Sequence, residues 1–299
     1  METDSSFSNA QVSVIIPCYN HGYYLSKAIE SVQSQQYPGI EIIVVDDGSK
    51  DNTKQVSNGY QNVKYIYQQN QGLSAARNTG INNSSGKYLV FLDADDWLLE
   101  NAIKINLKYL AANPKVAFVS GAHLKFLEDK NTYEEKKIIV NEDHYQHFLK
   151  GNYVAMHATV MYQRWIFDQF KFDTSLRALE DYDMYLEISR HYEVMHHQEL
   201  IAAYRIHDSN MSGNIPLMLN SALTSLKNQE PLLKNVAEKI CYNDGVNYWK
   251  AYYIGILYRN LAKLPWGVIK NKKIELNMLF ANSKILFAKL LLKKLLHVV

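Results

Sequence analysis

The chain has 299 residues, 47% of them hydrophobic, with 32 Lys and Arg against 30 Asp and Glu for a net charge of +2. That length can bury one large core or two modest ones, and the near-even charge gives no global field favouring nucleic acid. Its two cysteines, Cys18 and Cys241, lie too far apart in sequence for a ligand pair or a disulfide framework, which points to a reducing, cytoplasmic setting.

Val12-Ser13-Val14-Ile15-Ile16 is a β-branched run ended by Pro17, the pattern of a buried first strand. A turn at Cys18-Tyr19-Asn20-His21-Gly22 leads into helical spacing at Leu25, Ala28, Ile29 and Val32, which stops before Tyr37-Pro38-Gly39. Residues 41–45 form a second apolar strand closed by Asp46-Asp47-Gly48-Ser49, and residues 63–67 a third. A helix over 72–83 precedes the fourth strand, 88–92. Strand and helix alternating at this spacing predict right-handed crossovers and a mostly parallel α/β sheet flanked by helices.

Directly after the fourth strand come Asp93, Asp95 and Asp96. Three carboxylates so close repel one another, and burying them is costly without a cation or donors. Two readings stand for this stretch alone: a divalent-cation site, or an acidic turn with Asp96 capping a helix from about Trp97. In an open α/β sheet the strand ends at Pro17, Asp46 and Asp93 share an edge, where ligands usually bind. That edge carries an aromatic ring (Tyr19), an acceptor (Asp47) and the carboxylate cluster, parts suited to a base, a ribose and a diphosphate. Neither Gly-x-Gly-x-x-Gly nor a P-loop follows the first strand, which disfavours a dinucleotide cofactor and a P-loop nucleotide site.

Four motifs in order now become specific: Val14-Ile15-Ile16-Pro17-Cys18-Tyr19-Asn20; Val44-Val45-Asp46-Asp47-Gly48-Ser49 with Asp51; Gly72-Leu73-Ser74-Ala75-Ala76-Arg77-Asn78; and Leu92-Asp93-Ala94-Asp95-Asp96. Together they resemble the family-2 glycosyltransferases, over about residues 12–212. The resemblance implies the GT-A (Rossmann-like) fold and inverting transfer of a sugar from a nucleotide donor. It implies that Pro17, Tyr19 and Asp47 meet the base, that Arg77 offsets diphosphate charge, that Asp93 holds ribose and helps the metal, and that Asp95 ligates Mg²⁺ or Mn²⁺. UDP-sugars are the favoured donors.

Leu179-Glu180-Asp181-Tyr182-Asp183 resembles the family's Glu-Asp motif, in which the Asp is the catalytic base. On its own the segment reads first as an acidic helix start, with Asp181 capping or beginning the helix. A displacement by an acceptor hydroxyl does need a carboxylate within hydrogen-bond reach, and Asp181 is the one implied. Residues 204–212 resemble the segment that closes over the donor and place His207 at the diphosphate or metal. Gln163-Arg164-Trp165 lacks the spacer of the processive synthase signature and precedes Glu180-Asp181, so single-sugar addition is expected and Trp165 is assigned to the core at the start of a short helix. Residues 117–161 are assigned to acceptor recognition, with 128–137 a charged hairpin or loop and 152–157 beside the acceptor pocket.

Residues 1–11 lack the basic start and apolar core of a signal peptide, and no stretch approaches ~20 uninterrupted apolar residues, so a soluble or peripheral protein is expected, cytoplasmic or at the inner face of the cell membrane. The expected organisation is a catalytic domain over 1–214 and a helical region over 215–299, with helices at 217–226, 246–261 and 274–296 and a break at Pro265-Trp266-Gly267. From Leu261 onward there are eight lysines and one acid, Glu275, so contact with an anionic membrane, packing against the catalytic domain and contact with a second copy of the chain are all expectations for this region. The expected partners are a nucleotide-sugar donor and a saccharide or lipid-linked saccharide acceptor, as in surface-polysaccharide or glycolipid assembly. Two other classes stay open: a sugar-phosphate nucleotidylyltransferase, whose Gly-rich segment is missing here, and a non-catalytic scaffold of the same fold.

Overall fold

The computed structural model describes residues 12–207 and 210–296, and the chain clusters into two compact units. One comprises Met1–Phe148 and Asn152–Asp208; the other comprises Leu149–Gly151 and Ser209–Val299. Residues 1–11, and Asp208 and Ser209 of the expected closing segment, lie outside the described residues.

The first unit is α/β. In chain order it runs β1 (Val12–Cys18), α1 (Gly22–Gln33), β2 (Ile40–Asp46), α2 (Thr53–Asn58), β3 (Val63–Tyr67), α3 (Leu73–Asn82), β4 (Tyr88–Phe91), β5 (Trp97–Leu98), α4 (Ala102–Ala112), β6 (Phe118–Leu127), β7 (Thr132–Lys136), α5 (His144–Lys150), β8 (Met161–Gln163), α6 (Glu180–Ser189) and β9 (Met195–Ile206). The sheet order is β3-β2-β1-β4-β8-β6-β9-β5, with β7 paired to β6. β3, β2, β1 and β4 are parallel; β8 is antiparallel to both β4 and β6, and β9 is parallel to β6.

β1 is buried along its whole length and β2 from Ile42 onward, as central parallel strands covered on both faces must be. One face of the sheet packs Val14, Ile16, Val44 and Val90 with Leu25 and Ile29 of α1 and Ile103 and Leu107 of α4. On the other face α3 comes very close to β1. A Cβ at Gly80 would sit 2.3 Å from Cγ2 of Ile15, so a side chain there would push α3, and Arg77 with it, off the sheet. Phe91 is ringed by His157, Tyr162, Phe167 and Phe172 at centroid distances of 5.0 to 5.8 Å. His157 also shares a 3.0 Å hydrogen bond with the Tyr162 hydroxyl, and burial pushes its pKa well below the usual value, so it is a neutral core side chain.

The helix expected from Trp97 does not form there. Trp97 and Leu98 instead pair with Ala203 and Ala202 of β9, and α4 begins only at Ala102. Asp96 therefore caps no helix; its Oδ1 accepts the backbone N–H of Arg205 at 2.9 Å. A local acidic turn loses here to a strand pairing more than a hundred residues distant.

The second unit is helical: α7 (Ile215–Gln229), α8 (Val236–Lys263), α9 (Trp266–Ile269), α10 (Lys273–Asn282) and α11 (Lys284–Leu296). Asn214 caps α7 by accepting from Leu217 N–H, and Pro216 sits in its first turn. Asn235 caps α8 by accepting from Glu238 N–H, while Glu238 Oε1 accepts in return from the Asn235 amide. Pro265 follows the end of α8, where the break is expected, and the last predicted helix is divided at Ser283. Among the described residues no helix is long and apolar enough to cross a membrane.

Candidate functional site

Because β1, β2 and β4 are parallel, their carboxyl ends meet along one edge. Pro17 lies opposite Val45 and Cys18 opposite Asp46, with Phe91 beside Ile15. Tyr19, just beyond β1, is 48% exposed. Asp46 turns inward, accepting from Ser49 N–H and from the Tyr65 hydroxyl at 2.6 Å, which together with burial pushes the phenol well above its ordinary pKa. Asp47 is buried, and its two oxygens accept from Gln68 Nε2 (2.7 Å), Gln71 N–H (2.9 Å) and Gly72 N–H (2.8 Å). It thus fixes the loop that enters α3, where Gly72 has φ +93°, a conformation other residues rarely adopt. Any ligand group meeting Asp47 shares acceptor atoms that this loop already uses.

Arg77, in the second turn of α3, is only 1% exposed. Its Nη2 donates to Asp93 Oδ1 at 2.8 Å and its Nη1 donates to Glu180 Oε1. One buried guanidinium therefore joins the loop after β4 to the first turn of α6 across 103 residues of sequence. The sequence singled out Arg77 for a diphosphate; the structure surrounds it with carboxylates. Burial, with Asp95 and Glu180 nearby, raises the proton affinity of Asp93, and Arg77 opposes that rise.

Asp181 opens α6 beside Glu180. The preceding Leu179 has φ +57°, a conformation costing about 1–2 kcal/mol for a side-chain-bearing residue. Observed strain at such a position is held by its surroundings, here the buried Glu180 locked on Arg77. Asp181 Oδ1 accepts its neighbour Tyr182 N–H at 2.7 Å. Burial first, then Glu180, pushes the Asp181 pKa up to about 7, with Arg77 and the Tyr182 N–H working against the rise.

Asp95 faces His207, with Oδ2 and Nε2 3.0 Å apart and both side chains largely buried. The His207 ring stacks on Tyr24 at 4.8 Å and meets His21 edge-on at 6.0 Å. Arg205 underpins this corner: its Nε donates to the Asp95 carbonyl, its Nη1 donates to Glu128 at 2.9 Å, and its guanidinium lies 4.9 Å from the centroids of both Tyr24 and Trp97. Sequence reading passed over Arg205, Glu128 and Tyr24. One signal was present: Arg205 and His207 are two apart at the end of a strand, the spacing that shares a face.

The profile of glycosyl transferase family 2 matches residues 13–173, and an uncharacterized glycosyltransferase of Rickettsia typhi is 30% identical over 240 residues, 77% of this chain and 72% of that protein. The chain belongs to glycosyltransferase family 2. It is an enzyme of that family, and transfers a sugar from a nucleotide sugar. Among solved structures, S. aureus TarS in complex with UDP-GlcNAc aligns with TM-score 0.64 at 16% identity, over 91% of this chain and 80% of that one. The mannosyltransferase PcManGT from Pyrobaculum calidifontis, in complex with GDP-Man and Mn²⁺, aligns with TM-score 0.62 at 16% identity, over 96% and 87%. At these identities the likeness to the glycosyltransferase structures is one of fold, GT-A.

A metal belongs to the expectation for this fold, and the residues at the corner suit one. Asp95 Oδ2 and His207 Nε2 already converge, a hard carboxylate and an imidazole. Asp96 is pushed well above the usual carboxylate range by burial and by Asp95 and Asp93, with Arg205 opposing the rise, and a cation beside these carboxylates would relieve their repulsion. Among the described residues no group of three or more His, Cys, Asp or Glu side chains is placed to hold a metal ion, so the protein's own contribution at this corner is the Asp95–His207 pair.

Proposed function

We propose that this glycosyltransferase is metal-dependent and inverting, and adds one sugar at a time from a nucleotide-diphospho-sugar, UDP-sugars foremost. The acceptor is a hydroxyl of a saccharide or lipid-linked saccharide in surface-polysaccharide or glycolipid assembly. The observation that carries the reading is the Arg77 bridge: a single buried cation ties Asp93, on the donor edge of the sheet, to the helix that begins with Glu180 and Asp181. Donor carboxylate and candidate base are thereby parts of one ionic assembly.

In this reading the nucleoside lies on the sheet edge, with its base against the open ring of Tyr19 and the backbone at Pro17, and Asp47 shapes the loop beneath. Asp93 orients the ribose and Arg77 acts on the donor through Asp93, offsetting part of its negative charge. Asp93, Asp95 and His207 are the groups that would hold Mg²⁺ or Mn²⁺, which when bound supplies Lewis-acid stabilisation of the leaving diphosphate. The nucleotide sugars and Mn²⁺ in the TarS and PcManGT complexes support such a donor site on this fold. Asp181 accepts the proton of the acceptor hydroxyl as its oxygen attacks the anomeric carbon. The bond from that carbon to the phosphate oxygen breaks in the same displacement, which inverts the configuration.

The test is a donor panel: free nucleoside diphosphate released from several nucleotide sugars, with Mn²⁺ and with EDTA. Release that needs the metal and a hydroxyl acceptor supports the reading. Pyrophosphate formed from a nucleoside triphosphate and a sugar phosphate would replace it with the nucleotidylyltransferase.

Two further outcomes are expected. Asp95→Ala should weaken Mn²⁺-dependent nucleotide binding by at least about tenfold, since loss even of a group that only orients a ligand costs 10- to 100-fold in metal affinity. Titration calorimetry giving one nucleotide affinity for both proteins, with and without Mn²⁺, dismisses Asp95 as a ligand. The pH profile of kcat/KM should also carry an acid limb. Asp181 titrates near 7, so it is protonated and unable to accept a proton below that value, and the rate should rise with pH through about 7. A flat profile between pH 5 and 8 removes Asp181 as the base.

A further inference from the structure

The last helix of the chain carries a feature that transfer chemistry does not use. Around the axis of α11, Leu286, Phe287, Leu290, Leu291 and Lys294 occupy the inner side, with Leu290 fully buried. Lys294 belongs there for a definite reason: its Nζ donates to the carbonyl oxygens of Ala262 at 3.0 Å and Leu264 at 2.7 Å. A cation is thus spent on the carboxyl end of α8, where the helix dipole favours it. Removing Lys294 from the surface turns a scattered set of lysines into an ordered one.

The outer side holds Ile285, Ala288, Leu292 and Leu295, a spacing of three, four and three residues that puts them in one stripe. Ile285 is 71% exposed, Leu292 58% and Leu295 69%, so this stripe is open to solvent in the helical unit. At 100° per residue it covers roughly 80° of the helix surface. Lys284 borders it on one side and Lys289 and Lys293 on the other, all three exposed. Lys270 and Lys273, also exposed, add to the same sign, while Glu275 is already paired with Lys272 at 3.0 Å.

We propose that the outer face of α11 docks on an anionic lipid bilayer, lying in the plane of the interface without crossing it. The apolar stripe enters the boundary of the acyl chains while the flanking lysines extend along it to the headgroup phosphates, as long basic side chains do. Charge decides between this occupant and a second copy of the chain. A two-fold contact through the stripe would set Lys284, Lys289 and Lys293 of one copy against the same three of the other, whereas an anionic surface neutralises all of them. The inference is independent of the transfer reading, because it concerns vesicle binding and not turnover.

The experiment is co-sedimentation of the full chain with vesicles of phosphatidylcholine alone or with added phosphatidylglycerol. Binding is expected on the anionic vesicles, falling with added salt, and little on the neutral ones. Lys289→Gln and Lys293→Gln should each lower the partition coefficient about fivefold. The double variant Ile285→Glu/Leu292→Glu should lower it at least tenfold. Both positions are exposed, so the double variant should keep the thermal unfolding and the donor turnover of the wild type, and an unchanged melt confirms that folding is not the cause. The proposal is overturned if wild type binds anionic vesicles no better than neutral ones, or if the double variant binds as well as wild type. It is equally overturned if light scattering finds a wild-type dimer that the double variant converts to monomer, which assigns the stripe to a second copy.

Discussion

Asp181→Asn is expected to lower sugar transfer by about 10²- to 10⁴-fold, the usual contribution of a positioned general base, while leaving donor affinity nearly unchanged. The substitution is nearly isosteric, and an amide oxygen can still accept from Tyr182 N–H, so the first turn of α6 keeps its shape. It also removes one negative charge from beside Glu180 and Asp93, which raise the proton affinity of Asp181, so the variant should be at least as stable as wild type. What it cannot do is take a proton. Product formation and nucleotide affinity, measured on the same preparation, separate the roles. Transfer within tenfold of wild type removes Asp181 as base. Equal losses in transfer and donor affinity assign it to the donor instead. The residual activity should also lose the acid limb near pH 7, because that limb belongs to the group removed.

The parts of this site that were legible in the sequence are those whose cause is local. β1, β2 and β4 are central strands with both faces covered, so they must be continuous apolar runs, and the acidic residues that end them stand out by contrast. Asp47, Asp93 and Asp95 could be found from that contrast and Tyr19 from its place just beyond β1, and the resemblance of their motifs to a known family gave them expected roles. What each of them touches was not legible. One of the two partners of Arg77, Glu180, is 103 residues away and the partner of Asp96 is 109 away, and nothing near either residue encodes those meetings. The fate of Trp97 is likewise decided by Ala203, a pairing that overrides a plausible helix cap. Arg164 shows the same limit. It donates to the Gly86 carbonyl and to Ser84 at 2.7 Å, holding the loop before β4, while Trp165, expected in the core, is only half-buried and packs edge-on against Tyr192 at 5.0 Å in the short helical turn expected for it. The resemblance of this triplet to a synthase signature had no bearing on that structural work.

Arg77→Leu is expected to cost about 3–5 kcal/mol of folding stability, the range found when one partner of a buried ion pair is removed. The loss of attraction is the smaller part of this cost; the larger is the desolvated charge left behind. The two stranded carboxylates are not equivalent. Asp93 keeps 36% of its side-chain surface exposed and can turn part of its charge to water, whereas Glu180 keeps only 5%. Most of the penalty should therefore come from Glu180, and a second substitution tests this. Arg77→Leu/Glu180→Leu should be less damaging than Arg77→Leu alone, because replacing both partners with apolar groups removes the buried charge together with its counter-ion. Arg77→Lys should fall between wild type and Arg77→Leu, since an ammonium keeps the charge but lacks the fork that spans two carboxylates. Urea unfolding of the four proteins reads these differences directly. If Arg77→Lys matches wild type, the bridging geometry is irrelevant and only the charge matters. If the double variant is worse than the single one, Glu180 is held by something other than Arg77, and the link between the donor edge and the Asp181 helix is lost as an organising feature. The stability series and the transfer series bear on the same residue from two sides. A guanidinium that holds Asp93 and Glu180 in place must, when shortened to Lys, lower transfer by more than its loss of stability alone accounts for, because Asp93 and Asp181 are then no longer fixed relative to each other.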